Sequence, residues 1–189
     1  ATEGDLKVDG VPIKGEAIRS YQRSLGYVPQ DIFLSDATVA ENIALGMGLG
    51  EIDDHQVVKC ARLAQLHEFV MADLPHGYQT FIGERGVRLS GGQRQRIGIA
   101  RALYHDPSVL IFDEATSALD TVTERAVMKA IEDLHGYKTL VLVTHRLSTV
   151  RHCDGLFVLD AGQVVAEGTY DELYERSGEF RQMVIDAEG

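Results

Sequence analysis

The chain has 189 residues, of which 44% are hydrophobic and 25% charged, and carries a formal net charge of -11. That is the balance of an ordinary globular protein with one substantial core, and a surface this acidic repels phosphate backbones, so nucleic acid is not expected as a partner. The apolar runs, such as residues 109–112 and 140–143, are strand-length and fall well short of the roughly 18 consecutive residues of a membrane span.

The opening Ala1-Thr2-Glu3-Gly4-Asp5 has neither the basic nor the apolar region of a signal peptide, and the missing initiator Met predicts a fragment or processed product. Residues 5–13 read as two short extended pieces around Asp9-Gly10. Residues 24–28 read as a strand closed by Pro29, which cannot donate to a ladder. Thr38-Val39-Ala40-Glu41 has the capping-box pattern of a helix start. Asp53 and Asp54 then precede an apolar stripe at Val57, Val58, Ala61 and Ala64, the spacing of one buried helical face. Cys60 and Cys153 stand at neither metal-ligand nor redox spacing and read as ordinary thiols of a reducing compartment.

From Leu89 onward helix and strand alternate. Ser90-Gly91-Gly92-Gln93 is a second capping box, and its helix should run until Asp106-Pro107. Val109-Leu110-Ile111-Phe112 is a continuous apolar run, as in a parallel strand buried on both faces. The next helix is predicted to bury Val122, Ala126, Ala130 and Leu134 and to end at Gly136. Residues 140–143 should be another buried strand. Asp160-Ala161-Gly162 between two apolar stretches signals a hairpin, and a polar helical tail anchored by Leu173, Phe180 and Val184 closes the chain. The pattern is α/β, with an all-helical insertion at about residues 31–100.

Two features carry chemistry. Asp113 and Glu114 end the 109–112 run, and the carboxyl end of a buried parallel strand is where open α/β sheets bind ligands. If the strand continues they point to opposite faces, one suited to a metal ion and the other to polarising a water. Gly91 and Gly92 expose backbone N–H groups at the positive end of a helix, a place prepared for phosphate.

Taken together these segments resemble the ABC ATPases. Leu89-Ser90-Gly91-Gly92-Gln93 is similar to the family signature, residues 109–114 to its Walker B strand and Ser117-Ala118-Leu119-Asp120 to its D-loop. Tyr27-Val28-Pro29-Gln30 looks like the Q-loop and Thr144-His145-Arg146 the switch-histidine loop, all in family order. Ala37-Thr38-Val39-Ala40-Glu41-Asn42-Ile43 and Gly83-Glu84-Arg85-Gly86 resemble the exporter type. The resemblance implies a P-loop NTPase (RecA-like) core with a mainly parallel sheet, built from residues 1–30 and 101–189, and a helical signature subdomain at 31–100. No G-x-x-x-x-G-K-[ST] occurs, and there is no Gly-Lys pair at all. The expectation is that the first strand, the P-loop and the first helix precede Ala1.

The resemblance also assigns roles. Asp113 would bind Mg²⁺, Glu114 would be the general base toward the γ-phosphate of ATP, and His145 would contact that phosphate. Gln30 would sense Mg²⁺ and water while joining the helical subdomain to the core. Ser90, Gly91, Gly92 and Gln93, with Asp120, would meet the ATP of a second ABC ATPase domain in a head-to-tail dimer. Asp120 reads equally as the cap of the following helix. A transmembrane domain, usually on the same polypeptide, would be the other partner, placing the chain at the cytoplasmic face of a membrane. The implied function is ATP hydrolysis coupled to export, with the fragment alone inactive. Two other readings stand beside it: a DNA-repair or chromosome-maintenance ABC ATPase, and a binding-only fragment. Against the first of these, the stretch between Gln30 and Ser90 is too short for a coiled-coil or zinc insertion.

Overall fold

A computed structural model of the chain describes residues 4–48, 50–83, 87–115, 119–132 and 138–188. At its start, Asp9 and Gly10 both take positive φ, 49° and 78°. That is the twist a two-residue hairpin requires, and it pairs β1 (Lys7–Val8) with β2 (Val11–Pro12) antiparallel. Helix α1 (Glu16–Arg23) leads into β3 (Leu25–Val28), and Pro29 ends that strand.

Among the described residues between 31 and 100 the regular structure is helical apart from one small antiparallel pair, β4 (Ala37–Thr38) with β5 (Phe81–Ile82), and an isolated bridge of Ile82 to Val87. The pair forms because Thr38 must be extended, at ψ 164°, to cap α2 (Val39–Ile43). Its hydroxyl accepts the Glu41 N–H at 3.2 Å, and the Glu41 carboxylate accepts the Thr38 N–H at 2.8 Å. Asp53 caps α3 (Asp54–Leu63) through the His55 and Gln56 amides, and α4 (His67–Asp73) and a 3-10 turn at Gly77–Gln79 follow. The buried face of α3 is Val57, Cys60 and Ala61, with Ala64 just beyond. Val58 is only partly covered, and Cys60 is buried in the core. Burial pushes the Cys60 thiol up to about 11, so it is inert.

Helix α5 (Gly91–Tyr104) is the spine of this region. It buries Ile97, Ile99, Ala100 and Leu103 against α2, α3 and β3. Its last residue fixes the start of α3: the Tyr104 hydroxyl accepts the Asp53 N–H at 2.9 Å, and the Gln56 amide donates to the Tyr104 carbonyl at 3.0 Å. Asn42, fully buried, ties residues 35–38 to α2. It accepts the Ser35 N–H at 2.9 Å and donates to the Ser35 and Thr38 carbonyls at 3.0 Å. Arg101 adds bonds to the carbonyls of Asn42 at 2.8 Å and Phe33 at 2.9 Å.

β6 (Val109–Asp113) follows α5, and after α6 (Thr121–Glu132) comes β7 (Thr139–Val143). The three strands form a parallel sheet in the order β3-β6-β7, with Val28 opposite Phe112 and Asp113 opposite Val143. Two expectations change here. Among the described residues the strands are covered on one face only: Gly26, Val28, Leu110 and Phe112 are buried with Leu140 and Leu142 packed beside them, while Tyr27, Val141 and Val143 on the opposite face are exposed. The continuous apolar runs therefore conceal a period of two, with the helical core against one face only. The stripe of α6 is also different. Val127, Met128 and Ile131 are buried with Glu124, whereas Val122 is 77% exposed. Positions 124, 127, 128 and 131 form the tighter helical stripe; Leu134 and Gly136 lie outside the described residues.

The chain divides into two compact units, residues 1–143 and 144–189. In the second, α7 (Leu147–Val150) precedes an antiparallel hairpin of β8 (Leu156–Asp160) and β9 (Gln163–Gly168), turned by Ala161-Gly162. α8 (Tyr170–Arg176) and α9 (Gly178–Glu188) complete it. Leu173, Phe180 and Val184 are buried together with Tyr170, as the tail pattern predicts.

Candidate functional site

The register of the parallel sheet brings the ends of β3, β6 and β7 level, and both carboxylates of interest leave from the middle strand. Asp113 is the last residue of β6 and lies on the face opposite the core. Tyr27 pairs with Ile111, so it stands diagonal to Asp113 on that same face, within reach of a long side chain. Its hydroxyl donates to Asp113 Oδ2 at 2.8 Å. That bond, then desolvation, then the nearby negative charge raise the Tyr27 phenol above its ordinary value.

Glu114 does not continue the strand. It takes φ 48°, a left-handed conformation that a residue with a Cβ adopts at a cost of roughly 1–2 kcal/mol and that clusters at functional sites. The expected strand alternation of the two carboxylates is thus replaced by a turn. The Glu114 N–H extends the ladder to the Val143 carbonyl at 2.8 Å. Its carboxylate accepts a bond from the Gln30 amide at 2.9 Å, and its carbonyl faces the Gln95 amide at 3.5 Å. Gln30 and Glu114 are therefore joined in one cluster although 84 residues separate them.

The glycine-rich segment forms as the sequence predicts. Ser90 Oγ accepts the Gln93 N–H at 3.2 Å, and Gln93 Oε1 accepts the Ser90 N–H at 2.7 Å, while Ser90 itself is exposed. Helix geometry leaves the amides of Gly91 and Gly92 pointing outward along the axis. Asp120 is found as a helix cap: its carboxylate accepts the Val122 and Thr123 amides at 3.1 and 3.0 Å and the Thr123 hydroxyl at 2.6 Å. Those bonds, the Thr123 hydroxyl first, lower its carboxyl below the ordinary value. Burial lowers the Arg96 guanidinium below its ordinary value and Asp120 opposes this only in part; the guanidinium is bonded to the Gln65 carbonyl at 2.8 Å. His145 belongs to the second unit, exposed in a bend ahead of α7, where the Arg146 N–H closes onto the Thr144 hydroxyl at 2.9 Å. Ser117 and Ala118 of the D-loop segment, and residues 84–86, lie outside the described residues.

Two residues of the cluster were not singled out from the sequence. Gln95 had a signal: it falls on the buried stripe of α5 with Gly98 and Ile99 and is 2% exposed, and a polar side chain there needs a partner. Tyr27 had none, because its pairing depends on the register between β3 and β6.

The family profile described as ABC transporter matches residues 1–117. The chain is 45% identical over 180 residues to the heterocyst differentiation ATP-binding protein HepA of Nostoc sp., covering 95% of this chain and 29% of that protein. It is 42% identical to the putative multidrug export ATP-binding/permease protein YgaD of Bacillus subtilis, over 96% of this chain and 31% of the relative. A bacterial Atm1-family ABC exporter solved with ATP bound superposes with a TM-score of 0.89 at 38% identity, over 99% of this chain and 32% of that one. The chain thus spans less than a third of the length of each of these proteins. With the family profile matched over more than half its residues and the ABC ATPase fold in its sheet, the chain belongs to the ABC transporter family.

Proposed function

We propose that the chain is the ATP-hydrolysing part of an ABC exporter, coupling hydrolysis to transport across a membrane. The observation that carries this is the cluster at the end of β6, where Asp113 and Glu114 stand side by side and Gln30 binds the Glu114 carboxylate. Similarity to exporters in sequence and structure supports it.

In this mechanism Glu114 accepts the proton of the attacking water, and Gln30 keeps the carboxylate in one orientation for that task. The left-handed turn and the bond to the Val143 carbonyl hold the backbone so that the carboxylate does not have to search for its position. Asp113 fits a Mg²⁺ site because its carboxylate is a hard oxygen donor at the end of a parallel strand. Such a donor set suits an ion that keeps waters and binds one or two carboxylates plus substrate phosphates. When bound, Mg²⁺ would neutralise charge on the phosphate oxygens. His145 would contact the γ-phosphate. Ser90, Gly91, Gly92 and Gln93, with Asp120, would face the ATP of a second ABC ATPase domain in a head-to-tail pair. Gly91 and Gly92 amides at a positive helix end suit that role.

The P-loop, absent from these 189 residues, would come from elsewhere in the assembly, so the chain alone would hydrolyse ATP negligibly. Residues 31–100 would act as a helical subdomain against a core of 1–30 and 101–189. Among the described residues no helix is long and apolar enough to cross a membrane; the other partner would be a transmembrane domain on the same polypeptide. The exposed Phe33 and Phe81 would be available to contact it, and the chain would then lie at the cytoplasmic face of a membrane.

The test is Glu114→Gln in a full-length transporter carrying this chain. ATP binding should persist while hydrolysis falls by at least about a hundredfold, the scale of a lost general base. Near-normal turnover would remove Glu114 from the mechanism. Ser90→Arg should block ATP-driven dimerisation, followed by light scattering, and unchanged dimerisation would leave the signature as a helix cap alone.

A further inference from the structure

We propose that Tyr27 is a positioning residue for Asp113, holding one carboxylate oxygen so that the other is presented at the sheet end toward the metal. The proposal rests on the reading of Asp113 as the metal-side carboxylate.

Three observations carry it. The sheet register puts Tyr27 and Asp113 on the same face of adjacent parallel strands, and a phenol is long enough to cross the diagonal to Oδ2. The bond is short, 2.8 Å, and its acceptor is an ionised group, which makes it stronger than a neutral pair. Among the described residues Tyr27 is 53% exposed, and the positions beside it on its face are apolar residues without a hydroxyl, Ile111 and Val141. What distinguishes Tyr27 from a valine at this site is the oxygen.

A further consequence follows from chain connectivity. Tyr27 holds Asp113 and Gln30, three residues on, holds Glu114. One four-residue segment therefore grips both carboxylates of the site. A shift of residues 27–30 would disturb the metal-side and water-side groups together, whereas a shift confined to Gln30 would release only Glu114.

The test uses Tyr27→Phe, which deletes only the hydroxyl, in the full-length transporter. Mn²⁺ affinity is measured by electron paramagnetic resonance with ATP bound and hydrolysis arrested by Glu114→Gln. The concentration of Mn²⁺ at half saturation should rise about tenfold, the usual scale for removing a partner that orients a metal ligand. Without the arresting substitution, kcat at saturating Mg²⁺ should stay within about twofold of the parent while the Mg²⁺ requirement rises. The melting temperature should not move. Unchanged Mn²⁺ affinity in Tyr27→Phe, or a fall in kcat that excess metal does not restore, overturns the proposal. Asp113→Asn separates this from the underlying reading. If it binds Mn²⁺ as the parent does, Asp113 is not the metal-side group and both fall; if it binds weakly and Tyr27→Phe does not, only the role of Tyr27 falls.

Discussion

Replacing Asn42 with leucine removes the polar knot that holds residues 35–38 while keeping the same branching at Cγ. Asn42 makes three bonds of 2.9 to 3.0 Å to the Ser35 N–H, the Ser35 carbonyl and the Thr38 carbonyl, and two longer ones to the Ala37 carbonyl and Arg101. Three lost bonds at about 1 kcal/mol each give roughly 3 kcal/mol, less what the leucine regains by burial and what water supplies to partly covered Ser35, leaving about 2–3 kcal/mol. For a domain of this size that is a fall of about 5–10 °C in melting temperature. The assay is thermal unfolding followed by circular dichroism, with hydrogen exchange at the Ser35 amide as the local readout. Arg101→Met should be non-additive with Asn42→Leu, since Arg101 bonds the Asn42 carbonyl and Oδ1. A melting temperature within a degree of the parent, with unchanged Ser35 exchange, would refute the idea that Asn42 fastens this segment.

Gly26→Ala should destabilise by about 1–3 kcal/mol, because a methyl there meets the Ala102 carbonyl at 2.6 Å, Leu110 at 2.7 Å and Pro107 at 2.8 Å; a neutral effect on urea unfolding would show that these neighbours can yield. Asp106, Asp120, Glu41 and Glu172 are all lowered, chiefly by hydrogen bonds to Lys138, Thr123, Thr38 and Thr169 respectively. Folded-state depression makes their contribution complete above the ordinary values of 3.8 and 4.5 and lost as pH falls through the lower folded values. Melting temperature should therefore hold above about pH 5 and decline from about pH 4 downward; a decline that begins near pH 6.5 would point to the histidines instead. The 189-residue chain by itself should bind Mg-ATP at millimolar affinity or weaker, since forgoing several charge-assisted bonds at about 1.5–3 kcal/mol each more than spans the micromolar-to-millimolar interval. Micromolar binding by calorimetry would overturn that expectation.

Local chemistry was legible in the sequence wherever one short segment decides its own geometry. The capping boxes at Thr38 and Ser90 form because side chain and amide lie three residues apart, and Asp9-Gly10 turns because both residues tolerate positive φ. The helix of residues 121–132 was misread because the apolar positions offered two stripes, and only contact with a core selects Val127 and Ile131 over Val122. The motifs carrying Gln30, Ser90, Asp113, Glu114 and Asp120 were readable as an ordered set, and the fold they implied is the one found. Their geometry was not readable. Gln30 meets Glu114 across 84 residues and Tyr27 meets Asp113 across 86, and such pairs exist only once β3 and β6 choose a register. A slip of one residue would move Tyr27 to the core face and leave Asp113 without its hydroxyl. The left-handed turn at Glu114 is likewise a tertiary decision: Glu has no intrinsic preference for positive φ, and the ladder bond to Val143 helps to hold it there. Sequence thus determined which chemical groups the protein has and how each begins its own helix or turn, while packing between distant strands decided which of them touch, because contact between remote segments depends on a shared register that no single segment encodes.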